Sequence, residues 1–153
     1  MPGSRVFVDT NALLYLHDRQ FPDKRTQMAG WLSLLAADER VVINLQVLNE
    51  LTNVLIRKKY GTPETVFEIV DRFAVFGSTP LTADTMTIAR GLHQDLRYSW
   101  WDCLLLASAF ELGCSHFLSE DMQNGHSIEL RRGKRLTIAD PFAHTPGQFP
   151  TSP

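Results

Sequence analysis

Hydrophobic positions along the chain fall into two alternating patterns. Short runs of β-branched and other apolar residues, such as VFV at 6–8, predict strands that are buried on both faces, as in a parallel sheet. Between these runs, apolar residues recur at the spacing of an amphipathic helix. The predicted strands cover residues 5–8, 40–43, 116–119 and 136–138, with a weaker strand over 74–76.

The helical segments carry their own start signals. Thr62 precedes Pro63, which is a cap followed by proline at the first helical position. Either Thr10 or Asn11 is expected to cap a short helix that runs to Leu16. The other predicted helices cover residues 24–37, 45–59, 63–73, 82–96 and 100–112.

Strands that alternate with helices in this way predict an α/β fold. We expect three layers, with a mainly parallel central sheet flanked by helices and connected by right-handed crossovers. A chain of 153 residues, 44% of them hydrophobic, is long enough to bury the core of one such domain. The domain is expected over residues 1–142, followed by a Pro-rich tail over 143–153 that forms a partly ordered surface extension.

Composition narrows the environment of the protein. No apolar run approaches the length of a membrane span and the N-terminus lacks the apolar core of a signal peptide, so we expect a cytoplasmic protein with no membrane partner. Cys103 and Cys114 have no CxxC or Cys/His cluster around them and are expected to be buried thiols. The formal net charge of −2 argues against a protein that coats nucleic acid by charge alone.

Four acidic residues stand in unusual places. Asp9 follows the first predicted strand, and Asp121 comes shortly after the strand that ends near Ser119. Ligands of open α/β sheets bind beyond the carboxyl ends of the strands, so both acids are expected at the functional edge. Glu50 and Asp102 instead lie within apolar helical turns, where a charge is costly unless it faces a cation or a polar cleft.

Each acid has a structural explanation on its own, as a helix cap, a turn residue or a solvent-facing position. Together, however, they can converge at one edge of the sheet, where four carboxylates repel one another unless a divalent cation joins them. Oxygen ligands without a Cys or His cluster indicate Mg²⁺ or Mn²⁺. Such ions activate water and stabilise the leaving oxygen of a displacement, so the expected chemistry is phosphodiester hydrolysis.

Four segments surround these acids: VFVDTNALLYL, QVLNELTNVLIRK, YSWWDCLLLASAFELGC and HFLSEDMQNG. In this order and spacing they resemble the PIN domain family of metal-dependent nucleases, and in particular its VapC-like toxin branch. The closing IADPF is also similar to the family's ending, although Asp140 stands where asparagine is more usual. The resemblance spans nearly the whole chain.

The resemblance implies a role for each residue of the site. Asn11 and Ser119 would orient the carboxylates and the attacking water, and Thr10 either shares this role or only caps the helix. The choice of Asp121 over its neighbour Glu120 follows the family pattern Ser-x-Asp. The acids that would bind one or two Mg²⁺ or Mn²⁺ ions are Asp9, Glu50, Asp102 and Asp121.

The resemblance also implies an RNA substrate that is cut to leave a 5′-phosphate, and a homodimeric assembly. In the toxin branch, a small VapB-like antitoxin lays an apolar helix over the early helices and closes the site. Apolar stripes around residues 31–35 and 48–55 would either form that groove or belong to the core. Contacts to the RNA backbone are expected from Arg57, Lys58 and Lys59 and, in a loop over 131–135, from Arg131 and Arg132.

Other functions are compatible with parts of the pattern. A phosphatase of the haloacid dehalogenase type needs a second aspartate where this chain has Asn11, and no P-loop or Rossmann glycine signature is present. Two alternatives within the PIN family remain open. One is an RNA-processing nuclease without an antitoxin, and the other is a catalytically silent module that binds RNA or protein.

Overall fold

The computed structural model describes residues 4–130 and 133–148. The strands in these residues form one five-stranded sheet of order β2-β1-β3-β5-β4. All neighbouring strands are parallel except β4, which pairs with β5 in the antiparallel sense. This topology confirms the expected α/β class and mainly parallel sheet. The strands are β1 (Val6–Val8), β2 (Val41–Val42), β3 (His116–Leu118), β4 (Ser127–Leu130) and β5 (Lys134–Ala139).

The helices follow the predicted segments closely. Single turns of 3-10 helix extend the short first helix over Tyr15–His17 and the fourth helix over Ala74–Phe76, and another covers Pro146–Gln148. The predicted start at Pro63 is confirmed, with the Thr62 side chain accepting a hydrogen bond from the Thr65 backbone N–H. The α-helices are α1 (Thr10–Leu14), α2 (Pro22–Ala37), α3 (Leu45–Arg57), α4 (Pro63–Phe73), α5 (Ala83–Asp95) and α6 (Trp100–Glu111).

The core forms around β1, β3 and α6. Every residue of β1 is fully buried, and the rings of Phe7 and Phe117 stack with their centroids 5.3 Å apart across these adjacent strands. Residues 103–110 of α6 are all buried, because this helix is apolar on every side and packs against the sheet and α5. The carboxyl ends of β1 and β3 therefore lie side by side on a rigid support.

Two predictions about local structure were wrong. The segment 74–76 is a 3-10 turn rather than a strand, because it continues α4 and ends at Gly77, whose φ of 140° is open mainly to glycine. The segment 131–135 was expected to be a loop, but Lys134 and Arg135 begin β5, which pairs with the unpredicted β4. Arg131 and Arg132 lie outside the described residues.

The apolar stripes of α2 and α3 belong mainly to the core. Trp31 and Leu35 are each 1% exposed, and Leu32 is half-buried. On α3, the stripe over 48–55 packs inward in the same way, since its leucines are all buried. These buried residues therefore belong to the core, and on α2 only Leu34, which is 47% exposed, and the half-buried Leu32 are open to a partner helix in the range 31–35.

The remaining expectations concern the cysteines, the membrane and the tail. Both cysteines are buried free thiols, as expected. Among the described helices, none is long and apolar enough to cross a membrane. The boundary at residue 142 stays a prediction, and the described part of the tail contacts α2 through the turn Pro146–Gln148.

Candidate active site

The four predicted acids line one cleft, with a volume of about 270 Å³. Asp9 stands at the carboxyl end of β1, Glu50 on α3, Asp102 in the first turn of α6, and Asp121 shortly after β3. Four separate elements thus bring carboxylates to the same edge of the sheet, where α/β proteins bind ligands. The other described residues that line the cleft are Thr10, Asn11, Leu14, Asn53 and Val54.

Asp9 is the most buried of these acids, with 5% of its surface exposed. It caps α1, which is one of the structural explanations that the sequence offered for this acid, and the cap is neither Thr10 nor Asn11. The Oδ1 atom of Asp9 accepts a hydrogen bond of 2.7 Å from the Thr10 backbone N–H. Burial raises the pKa of Asp9 to about 7, although a 2.8 Å hydrogen bond from the Ser119 hydroxyl to Oδ2 lowers it in part. The nearby carboxylates add to the increase.

Glu50 is held from both sides by hydrogen bonds. The Thr10 hydroxyl donates to Oε2 at 2.6 Å, and the Gln46 amide donates to Oε1 at 3.0 Å. Gln46 lies one turn before Glu50 on α3, so the helix itself supplies that contact. Thr10 therefore orients a carboxylate of the cleft and does not act as the helix cap.

Asp102 is half-buried at the start of α6. Its backbone N–H donates to the hydroxyl of Ser99, the cap of the helix, at 3.1 Å. Burial raises the pKa of the Asp102 carboxyl, the Ser99 hydrogen bond lowers it, and the charges of Asp121 and Glu50 raise it further. Uncompensated negative charge is thus concentrated in the cleft.

Asn11 and Ser119 fix the fourth acid. The Asn11 amide donates to Oδ2 of Asp121, and the Asp121 backbone N–H donates to the Ser119 hydroxyl at 3.3 Å. Ser119 consequently connects Asp121 to Asp9. The Oδ1 atom of Asn11 is buried, and no donor among the described residues reaches it. A buried acceptor without a partner is unfavourable, and a water molecule or a cation is a group that would satisfy it.

The structure separates Glu120 from Asp121. The Glu120 carboxylate lies outside the cleft, where it accepts a 2.6 Å hydrogen bond from the Tyr15 hydroxyl and pairs with the Lys24 amino group. Burial alone would raise the pKa of Glu120, but the hydrogen bonds from Lys24 and Tyr15 outweigh it and lower that pKa. Only the pattern Ser-x-Asp distinguishes the two acids in the sequence, and it selects the one that lines the cleft.

Around this ion pair lies a cluster that the sequence did not reveal. The Lys24 amino group stands 4.9 Å from the ring centroids of Tyr15 and Phe142 and 5.6 Å from that of Phe21. Cations over aromatic faces are attracted by the ring quadrupole. We call Lys24, Glu120 and these three rings the Lys24 clamp. It joins residues from distant parts of the chain, so no local sequence signal marks it.

The donor set of the cleft fits a hard divalent cation. All four charged groups are carboxylates, and the orphaned Asn11 Oδ1 adds a neutral oxygen. The pKa of Asp9 is raised chiefly by burial and further by the charges of Asp102 and Glu50, and a bound cation would offset both effects. Within residues 4–130 and 133–148, no three Asp, Glu, His or Cys side chains form a ready-made metal-binding group. Two of the four carboxylates accept side-chain hydrogen bonds from hydroxyl or amide groups of the chain: Glu50 from Thr10 and Gln46, and Asp9 from Ser119.

The basic residues expected near RNA lie at the end of α3. Arg57, Lys58 and Lys59 are all exposed, and Lys59 has a positive φ of 51° where the chain leaves the helix. Lys58 and Lys59 line a second pocket beside the carboxylate cleft. The other expected contacts, Arg131 and Arg132, lie outside the described residues.

Comparison with known proteins places this geometry in a family. A model of the PIN domain matches residues 6–123. The solved structure of VapBC2 from Rickettsia felis, bound to a DNA fragment from their promoter, shares 18% identity over 88% of this chain and 97% of that chain, with a TM-score of 0.60. The solved structure of VapC20 from Mycobacterium tuberculosis, described as a Sarcin-Ricin loop cleaving toxin, shares 21% identity over 76% of this chain and 91% of that chain, with a TM-score of 0.54.

At these identities the two solved structures show a shared fold. The search of curated proteins found no match. The family model covers most of the chain, from β1 to the loop after β3, and includes all four acids of the cleft. On this evidence, the chain belongs to the PIN domain family.

Proposed function

We propose that this protein is a metal-dependent endoribonuclease that hydrolyses RNA phosphodiester bonds, leaves a 5′-phosphate, and acts as the toxin of a toxin–antitoxin pair. The convergence of four carboxylates on one cleft is the observation that carries the proposal. Membership of the PIN family and the likeness of the fold to two VapC-type structures support it. Asp9, Glu50, Asp102 and Asp121 would hold one or two Mg²⁺ or Mn²⁺ ions.

When bound, such an ion supplies activation of water and neutralisation of charge on the phosphate. The residues of the chain keep the carboxylates in place for this task. Ser119 holds Asp9, Thr10 holds Glu50, and Asn11 holds Asp121, each through a side-chain hydrogen bond. Preorganised groups of this kind accelerate a reaction because they need no rearrangement when charge develops on the substrate.

RNA that enters the cleft would also meet exposed cations at the C-terminal end of α3. We propose backbone contacts from Arg57, Lys58 and Lys59, and from Arg131 and Arg132 beyond β4. Phosphate contacts of this kind position a strand without reading its sequence. Mutation of one of them should therefore weaken binding by a similar factor for every RNA.

The first test is cleavage of a pool of structured RNAs by the purified chain. We expect cleavage with Mg²⁺ or Mn²⁺, none in excess EDTA, and a loss on the order of 100-fold or more in Asp102→Asn, because this substitution removes a charged ligand at constant size. Asp71→Asn is the matched control, since Asp71 is exposed on α4, outside the cleft. Equal cleavage in EDTA would overturn the proposal.

The role as a toxin needs a separate test. Induced expression of the wild-type chain in a bacterial host should arrest growth, whereas Asp102→Asn should not, and co-expression of a VapB-like antitoxin should restore growth. An RNA-processing nuclease would cut RNA without arresting growth, and a silent module would do neither.

We also propose a homodimer, which light scattering would detect as a mass of about twice 17.3 kDa.

A further inference from the structure

Beside the carboxylate cleft lies a second concave site, with a volume of about 510 Å³. It is formed where the turn after α1 faces the C-terminal end of α3. We call it the basic pocket, and it is lined by Leu14, His17, Arg19, Lys58, Lys59 and Tyr60 among others.

The charge of this pocket suits an anion. Arg19, Lys58 and Lys59 contribute positive charges, and Asp18 is the only acid among the described residues that line it. The pKa of His17 is lowered chiefly by burial and further by the charges of Arg25 and Arg72. These two arginines do not line the pocket, but they add to the positive charge around it.

Another cavity of the same protein lacks the excess of positive charge that the basic pocket has. A larger cavity of about 820 Å³ lies between α5 and β4, and its lining includes Asp95, Glu129 and Lys134. Acidic and basic residues mix there, without the positive excess of the basic pocket. An excess of positive charge is thus not a general property of concave surfaces on this protein.

Aromatic rings line the same pocket. The rings of Tyr60 and His17 are nearly perpendicular, with their centroids 5.3 Å apart. The Tyr60 hydroxyl and Nδ1 of His17 form a hydrogen bond of 3.2 Å. The pair is therefore held in a fixed arrangement. Rings beside cations are the features on which single-stranded nucleic acids stack their bases and place their phosphates. Lys58 has a structural explanation, because a cation at the C-terminal end of a helix stabilises it. That explanation does not apply to Arg19 or to the two rings, which do not lie on the last turn of α3.

The basic pocket also lies within reach of the carboxylates. Leu14 lines both sites. Along α3, Glu50 faces the cleft and Lys58 follows eight residues later, which corresponds to about 12 Å of helix axis. One extended strand can span this distance and contact both sites.

We infer that the basic pocket binds a nucleotide of single-stranded RNA beside the scissile phosphate. Lys58, Lys59 and Arg19 contact its phosphates, and the base packs against Tyr60 and His17. This inference rests on the proposed function, because it is the same RNA strand that continues into the carboxylate cleft. It adds a place where the enzyme selects unpaired RNA.

The test measures binding separately from cleavage. A fluorescent single-stranded RNA of about ten nucleotides is titrated by anisotropy against the full-length Asp102→Asn chain with Mg²⁺ present. Added to this background, Lys58→Gln should weaken binding by about threefold to tenfold and reduce the salt slope by about 0.7. Arg90→Gln is the matched control, since Arg90 is an exposed cation on α5 outside both sites.

A second pair of variants tests the ring. Tyr60→Leu should weaken binding by about fivefold or more, and Tyr60→Phe, which keeps the ring, should retain more of it than Tyr60→Leu does. Circular dichroism checks that each variant is folded. A double-stranded RNA of the same sequence should show a smaller effect of Tyr60→Leu, because its bases are already stacked.

The outcomes separate the subsite from the function. If Lys58→Gln binds like Arg90→Gln and Tyr60→Leu binds like Tyr60→Phe, the subsite is overturned, whereas metal-dependent cleavage by the wild-type chain still supports the proposed function. That pattern would also follow if the pocket served a protein partner. If the wild-type chain cuts no RNA and the Asp102→Asn chain binds none, the proposed function fails and the subsite fails with it.

Discussion

Asp9 shows how one residue can serve the site at a cost to stability. It caps α1, accepts a hydrogen bond from Ser119, and lies buried near Asp102 and Glu50. A buried carboxylate with like charges nearby is unfavourable in its ionised form. The chain retains it at a point where an uncharged cap would give a more stable fold. Residues of this kind indicate a functional requirement.

This cost predicts a pH dependence for the metal-free protein. The pKa of Asp9 is about 7 in the folded state and about 3.8 in the unfolded state, so the folded state binds more protons between these values. In EDTA, the free energy of unfolding should therefore fall as the pH rises from about 4 to about 7, and remain low above that range. Asp9→Asn should remove most of this dependence and stabilise the chain at about pH 8 by roughly 2–4 kcal/mol.

The measurement is thermal unfolding of both chains across this pH range. Subtracting the two curves removes the contribution of the histidines, such as His17 and His116, whose pKa values are lowered by burial. The Asp9→Asn chain should also lose RNA cleavage. If the difference between the two chains does not change with pH, Asp9 is not the destabilising group.

At the scale of elements, the Lys24 clamp connects the loop after β3 to α2. Glu120 belongs to that loop and its carboxylate pairs with Lys24 on α2, while the next residue, Asp121, lines the cleft. The clamp therefore fixes the backbone that carries the fourth acid. Lys24 and Glu120 act through position, since neither lines the cleft.

Lys24→Met should lower the rate of RNA cleavage by about tenfold and weaken Mg²⁺ binding, because the loop with Asp121 loses its support. Arg135→Met is the matched control, since Arg135 forms an exposed ion pair with Glu129 at the β4–β5 hairpin. The Arg135 pair is exposed and contributes little to stability, so Arg135→Met should unfold near the wild-type temperature, whereas Lys24→Met loses a half-buried pair and should unfold somewhat lower. Cleavage is therefore compared at a temperature at which both variants are folded. Equal kinetics for the two variants would contradict a positioning role for the clamp.

The elements also show which features of the fold can be predicted from sequence. Helices with local caps, such as Thr62 before α4 and Ser99 before α6, were predicted closely because the signal and the structure involve the same few residues. The turn over 74–76 and the strand β4 were not, because apolar composition alone does not distinguish a 3-10 turn from a strand, and β4 depends on pairing with β5.

At the scale of the whole molecule, the site exists only when the sheet is complete. Asp9 and Ser119 approach each other because β1 and β3 are neighbours, although 110 positions separate the two residues. Asp9, Glu50 and Asp102 could be predicted because each follows or interrupts an apolar element, whereas Asp121 was chosen over Glu120 only by the family pattern Ser-x-Asp. The Lys24 clamp and the basic pocket could not, since both depend on side chains that only the folded chain brings together.

This dependence predicts that metal binding stabilises the entire fold. A ligand that binds only the folded state stabilises it by about 2.7 kcal/mol at about 100 times its dissociation constant. For a chain of this size, Mg²⁺ at that level should raise the unfolding temperature by about 5–10 °C, and chelation should reverse the shift. Asp102→Asn should show a much smaller shift with Mg²⁺. NaCl at the same ionic strength is the control, and it should change the unfolding temperatures of the two chains equally. If Mg²⁺ raises both unfolding temperatures equally, the stabilising ion binds outside the cleft.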